Sequence, residues 1–237
     1  MMKPKELLYY SVYISLWIQL ITGIVQIHGI IINIDKDDYV LKEILILETV
    51  VQFIEAVFYV YIAYALTSIN INQVTPRRYF DWMITTPTML ITTILFMEYN
   101  KVELNETHNK DKLRLVPFII NHKENITKIV IFNFFMLFFG YLGEVNILNK
   151  FISIPIGFIF FGLTFENIYT NYAYNEETTE TNKILFNFLV SVWALYGVAA
   201  LFPTLPKNLG YNVLDIIAKN FYGLYIYYRI LKLKNYV

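Results

Sequence analysis

Apolar residues run along this chain in stretches of about twenty, each closed by a cluster of charge, with none of the apolar and polar alternation that gives a soluble domain its two-faced elements. A bilayer core of roughly 30 Å takes about 20 residues of helix to cross. Seven stretches meet that length: Leu7 to Ile32, Leu41 to Leu66, Tyr79 to Met97, Ile126 to Leu142, Phe151 to Tyr172, Ile184 to Phe202 and Val213 to Leu233. The pattern predicts an all-α membrane protein, one seven-transmembrane helix bundle over residues 1–237, with no internal repeat and no separate domain.

The opening MMKPKELLYYSVYISLWIQLITGIVQI holds an apolar stretch too long for a signal-peptide core and has no clear small-residue cleavage site, so it is expected to stay as the first span. Lys and Arg gather between the third and fourth spans, residues 99–125, and in the tail at Arg229, Lys232 and Lys234. These positions assign the third connection and the carboxyl terminus to the cytoplasm and the amino terminus to the outside. Asp35, Asp37 and Asp38 in the first connection change this little, since acidic residues weigh little in the rule. Within residues 99–125, Leu113 to Ile120 is apolar but too short to span; it lies along the membrane interface or packs on helix ends. Asn105 and Asn125 open N-x-T triplets that a cytoplasmic loop leaves unglycosylated.

Composition strengthens the membrane assignment and removes other classes. Hydrophobic residues make up 57% of the chain, and mean hydropathy is +0.46. Lys plus Arg and Asp plus Glu balance at 19 each, so no basic excess points to nucleic acid. The absence of cysteine excludes disulfides, thiolate metal sites and cysteine nucleophiles, and no metal site is expected.

Ionisable side chains in hydrocarbon are costly, which makes each one inside a span a functional candidate. The seventh span reads NVLDIIAKNFYGLYIYY and stacks Asp215 and Lys219 on one face at i and i+4. A buried ion pair that fixes packing is the plain alternative. The third span reads RYFDWMITTP, with Arg78 one turn outward of Asp81 and with Trp82, Thr85, Thr86 and Pro87 following. A lone buried lysine needs at most one carboxylate, yet Asp81 and Asp215 are both available. That surplus suits a cation whose proton is held and then moved. A buried primary amine also condenses with aldehydes.

These residues resemble the microbial (type 1) rhodopsins, and the likeness covers the whole seven-span chain. RYxDWxxTTP and DxxxK are similar to that family's counterion and retinal-lysine motifs. The resemblance implies all-trans retinal in the bundle core, carried on Lys219 through a protonated Schiff base with Asp81, Asp215 and Arg78 as its counterion set, and hence a light-responsive protein rather than an enzyme. It implies pocket roles for Trp82, Thr86, Met89, Met136, Gly140, Trp193 and Tyr196, and a hydrogen bond from Tyr59 to Asp215. Two departures stand out. Gly197 follows Tyr196 where the family commonly has proline, and Thr92 stands eleven residues after Asp81 where proton pumps carry a carboxylic donor.

Glu48 and Glu55 lie seven residues apart in the second span, on one face and about 10 Å apart along the axis. Glu55 is superfluous in a pump. Channelrhodopsins build a central constriction from a first-span serine, a second-span glutamate and an asparagine directly after the retinal lysine; here Ser15 (or Ser11), Glu55 and Asn220 correspond. Glu48 is similar to the glutamate of an inner gate, and Thr86 with Asn133 to a pair that joins the third and fourth spans. The viral rhodopsins of giant algal viruses, which include light-gated cation channels with a glutamate-rich second span, resemble the chain still more closely. The expected activity is therefore a light-gated cation channel in a lipid bilayer, with small cations or protons as cargo. An outward proton pump with Asp81 as acceptor and Glu48 as donor is the alternative, a sensory photoreceptor is a third class, and the family allows dimers, trimers and pentamers.

Overall fold

In the computed structural model the described residues are 4–68, 73–104, 112–174 and 179–235. Helix α1 spans Pro4–Ile31, a 3-10 turn at Lys36–Asp38 leads into α2 (Tyr39–Ser68), and α3 spans Val74–Leu104. After these come α4 (Leu115–Asn121), α5 (Lys123–Glu144), α6 (Lys150–Ile168) with a π-helical turn at Tyr169–Ala173, and α7 (Glu180–Ala200). The last crossing consists of α8 (Thr204–Asp215), a second π turn at Ile216–Asn220, and α9 (Phe221–Leu233). Among the described residues there is no strand. Among the described residues six helices are long and apolar enough to cross a bilayer; the seventh crossing carries Asn208, Asn212, Asp215, Lys219 and Asn220, which lower its hydropathy. The chain is a seven-helix membrane bundle.

Helices suit this solvent because each satisfies its own backbone groups where no water can. The bundle is apolar outside and polar along one inner seam. On α1, Ile14, Trp17, Ile21 and Ile24 face outward, while Ser15, Gln19, Thr22 and Gln26 are buried. Their 4-3-4 spacing is one helical stripe. On α2, Glu48, Gln52, Glu55 and Tyr59 repeat the spacing, and each is fully buried. The helices close a ring in the order α1, α2, α3, α5, α6, α7 and then α8–α9, which returns to α1.

Two boundaries differ from expectation by more than five residues. Residues 99–104, read as loop, continue α3, because polar groups there find partners: Tyr99 Oη donates to Asp38 Oδ1 at 2.6 Å, and Asn100 Nδ2 to Asn182 Oδ1 at 2.8 Å. The seventh helix begins at Thr204 rather than Val213, because the polar Asn208 and Asn212 that lower its hydropathy are both buried inside the bundle. Asn105 lies outside the described residues, and Asn125 lies in α5. Arg114 Nε donates to Glu43 Oε1 at 2.9 Å, and Phe118 is buried, so α4 is tied to α2 at its start.

Pro87 inside α3 lacks the N–H that would bond one turn back. Hydroxyls fill in around it: Thr85, Thr86 and Thr88 donate to the carbonyls of Asp81, Trp82 and Ile84 at 3.1, 2.7 and 2.9 Å.

Candidate functional site

The π turn in the seventh helix decides what points inward. An extra residue in one turn brings the consecutive Lys219 and Asn220 both into the core, at 2% and 3% exposure. Lys219 Nζ then meets three carboxylates. It donates to Glu55 Oε2, lies 3.1 Å from Asp81 Oδ2 and 3.7 Å from Asp215 Oδ1.

Asp215 is held on both oxygens. Arg78 Nη1 donates to its Oδ2 at 2.9 Å and Tyr59 Oη to the same atom at 2.8 Å, while Tyr196 Oη donates to Oδ1 at 2.9 Å. Arg78 also donates to Asn212 Oδ1 and, at 3.3 Å, to Asn208 Oδ1. The cluster contains two cations and three carboxylates, so one proton on a carboxyl brings it to neutrality. Asp81 Oδ1 and Glu55 Oε1 remain without a partner, which leaves two buried acceptors aimed at the amine's surroundings.

Beyond the amine runs an apolar pocket between α3, α5, α6, α7 and the seventh helix. Trp82, Thr86, Met89, Met136, Gly140, Trp193 and Tyr196 all line it, and Lys219 closes one end. The Trp82 ring meets Tyr196 edge-on at 5.5 Å and Tyr211 at 5.0 Å between centroids. Small residues at Gly140, Gly157, Gly197, Ala200 and Ala218 leave the space. A long apolar molecule with one aldehyde end fits both halves, the aromatic walls and the carboxylate-ringed amine. At Gly197 a Cβ would run into the Phe158 ring, so the room that proline would take in α7 belongs to Phe158, and α7 continues unbroken past it.

The other expected positions are distributed less simply. Asn133 Nδ2 donates to Thr86 Oγ1 at 2.8 Å, which joins α5 to α3 at the pocket wall. Thr92 Oγ1 donates to Glu48 Oε1 at 2.5 Å. Ser15, Glu55 and Asn220 do not bond one another. Ser15 Oγ donates to the Asn212 carbonyl at 3.3 Å, Asn220 Nδ2 to Gln19 Oε1 at 3.2 Å, and Glu55 accepts from Lys219. Ser11 accepts from Asn212 Nδ2 at 2.8 Å and donates to the Leu8 carbonyl in its own turn. The three residues expected at the constriction are all buried, and each bonds a different neighbour along the seam. The π turn aims Asn220 at α1 rather than α2, and Glu55 reaches the amine.

Several site residues escaped the sequence reading. Gln19, Gln26 and Gln52 are fully buried, and Asn208 and Asn212 surround Arg78. Their signal was present as spacing: Asn208, Asn212, Asp215 and Lys219 stand at i, i+4, i+7 and i+11, as do the α1 polar residues. Ile154, Gly157, Phe158 and Phe161 of α6 line the pocket but are ordinary lipid-helix residues by type.

A bundle arranged this way defines a class, integral membrane proteins that keep a chromophore inside the helices beside a buried lysine. The particular family follows from residues 11–233, which match the bacteriorhodopsin-like proteins, and the chain belongs to that family. Its cofactor is retinal. The viral rhodopsin OLPVRII is similar over 96% of this chain and 99% of its own, at 31% identity and a TM-score of 0.82. A blue light-absorbing proteorhodopsin from Med12 shares the fold at 18% identity and a TM-score of 0.72, over 96% of this chain and 98% of its own. Xanthorhodopsin, described as a light-driven ion pump with dual chromophore, does so at 17% and 0.71, over 98% and 94%. Among curated protein sequences none matches.

Proposed function

We propose that this chain is a light-gated cation channel in which retinal is joined to Lys219 and ions pass along the polar seam between α1, α2, α3 and the seventh helix. Bound there, all-trans retinal supplies absorption of visible light and a change of shape inside the pocket. The remaining steps belong to protein groups. Asp81, with one oxygen facing the amine and the other unpartnered, accepts the proton leaving the Lys219 nitrogen. Asp215 stays clamped by Arg78, Tyr59 and Tyr196. Glu55 passes the change of charge at the amine to the seam, because it is the seam residue that touches Lys219.

One observation carries the reading: the seam is lined by buried polar atoms without protein partners. They include Gln19 Nε2, both ends of Gln26 and Gln52, Glu48 Oε2, Glu55 Oε1 and Asn220 Oδ1. An unsatisfied polar group in a dry interior costs about 2–7 kcal/mol, so a row of them is stable only with water or ions among them. A wet row inside the span becomes a conduction route once its ends open. We take the Gln26 and Glu48 end as the cytoplasmic one, a reading that the Lys and Arg around α4 and in the tail support. The test is a voltage series under illumination: current that reverses at the equilibrium potential of the permeant cation supports the channel, and current outward at every voltage refutes it.

The Thr92 to Glu48 hydrogen bond favours a second reading. A buried carboxyl on the inner side of Lys219, with Asp81 on the other, is the pair an outward proton pump needs. The same voltage series separates the two.

A further inference from the structure

The polar seam stops abruptly at its Glu48 end. Gln26 is the last polar residue of the α1 stripe, and one turn beyond it a Cβ on Gly29 would lie 2.6 Å from the Tyr227 ring and 2.7 Å from Leu45 Cδ2. Helix, ring and leucine therefore pack without a gap there. Immediately inside this seal, α1 and α9 touch through Gln26 and Gly223. A Cβ on Gly223 would collide with the Gln26 carboxamide and lie 3.6 Å from Glu48 Cβ. The glycine thus makes the seat on which the carboxamide rests beside Glu48.

The chemistry of that seat is specific. Gln26 is fully buried with neither Nε2 nor Oε1 bonded, Glu48 Oε2 is likewise free, and Gln52 one turn along α2 has both polar ends unpartnered. Tyr222 Oη, on the residue before Gly223, has no partner either. Gln26, Glu48, Gln52 and Tyr222 thus offer oxygen ligands in one end of the seam, with a single carboxylate among them. One negative charge with neutral carboxamide oxygens suits a monovalent cation that sheds part of its water, and falls short of what calcium takes from its carboxylate-rich sites.

We propose that Gln26, seated over Gly223 beside Glu48, is the specificity-determining residue of an inner filter for small monovalent cations. The assignment rests on the channel reading. Reversal potentials of the light-induced current, measured in whole cells with sodium, potassium and calcium exchanged, test it in the intact protein. Gln26→Glu supplies a second carboxylate and raises calcium permeability relative to sodium severalfold. Gln26→Ala and Gly223→Ala, one removing the carboxamide and the other evicting it, shift the sodium to potassium ratio in the same direction. All three keep the wild-type absorption maximum, because the seat is remote from the Lys219 amine. Gln26→Asn, one methylene too short to reach Gly223, covers a glutamate variant that forms no pigment and gives the alanine phenotype. Wild-type permeability ratios in the pigment-forming variants overturn the filter while leaving the channel intact. A wild-type current that never reverses removes the channel and the filter together.

Discussion

Lys219 and Asp81 face each other at 3.1 Å, Nζ to Oδ2, while the second oxygen of Asp81 has no partner at all. Asp215, four residues from the lysine, is bonded at both oxygens. The two aspartates are thus unequal: one is a fixed strut and the other has freedom to take a proton.

From this inequality, Asp81→Asn is expected to form pigment with retinal and to absorb to the red of wild type, because a negative charge beside the amine is gone. Asp215→Asn is expected to assemble poorly, because it leaves Arg78 buried without its carboxylate, a loss of about 3–5 kcal/mol. Lys219→Ala is the control and develops no visible band. Absorption spectra and thermal melting of purified protein read all three; an unshifted Asp81→Asn spectrum hands the acceptor role to Asp215.

At the pocket wall, Gly197 yields its space to Phe158. Gly197→Ala is expected to push that ring from its place, with an overpacking cost of about 1–3 kcal/mol, lower melting temperature and reduced retinal uptake. Combining it with Phe158→Leu, which clears the collision, should restore much of the loss. Equal destabilisation with and without the leucine would show that the contact is not what constrains this position.

The Asn133 to Thr86 hydrogen bond joins α5 to α3 at 2.8 Å within the membrane. Asn133→Leu, Thr86→Val and the double variant form a cycle, and the coupling energy expected is about 0.6 kcal/mol and no more than about 1.7, the mean and the maximum for such bonds between membrane helices. Thr86 also donates to the Trp82 carbonyl, so the threonine substitution alone should cost more than the asparagine one.

Much of this was legible from sequence because charge in a membrane is conspicuous. Lys219, Asp215, Asp81 and Arg78 announce themselves against apolar neighbours, and the seven spans follow from length alone. The neutral half of the site was harder to see. Gln19, Gln26 and Gln52 are unremarkable by residue type, and their importance comes from lying on one stripe that faces another. The π turn that swings Asn220 toward Gln19 is a backbone event with no glycine or proline to mark it. For that reason the sequence names Ser15, Glu55 and Asn220 but does not show which neighbour each one bonds.

The proposed mechanism gives Glu55 two roles that a single variant can separate. It touches Lys219, so Glu55→Gln is expected to shift the absorption maximum, and it lies on the seam, so the same change should alter current amplitude or cation preference. Pigment still forms, since Asp81 and Asp215 remain near the amine. A shifted spectrum with wild-type currents would confine Glu55 to the counterion cluster; altered currents at an unmoved spectrum would do the reverse.

Glu48 and Thr92 bear on the choice between channel and pump. Their hydrogen bond is 2.5 Å long, and neither side chain reaches solvent. Were Glu48 the donor that returns a proton to Lys219, Glu48→Gln would remove the carboxyl that bonds Thr92, and recovery of the visible band after a flash would slow by orders of magnitude. A membrane-permeant weak acid, able to carry protons to the amine by itself, would then restore the rate in proportion to its concentration. In a channel the proton returns through water in the seam, so the recovery rate changes little and the weak acid has no effect. The current changes instead: with the inner carboxylate neutralised, cations lose their attraction to the mouth, and amplitude falls while the reversal still follows the cation gradient. Thr92→Val sharpens the comparison, since it keeps the carboxyl but strips its partner, at about 1–3 kcal/mol for a buried acceptor left unmet. Flash photolysis and voltage clamp on these two variants give opposite patterns for the two mechanisms, and the channel predicts fast, acid-insensitive recovery in both.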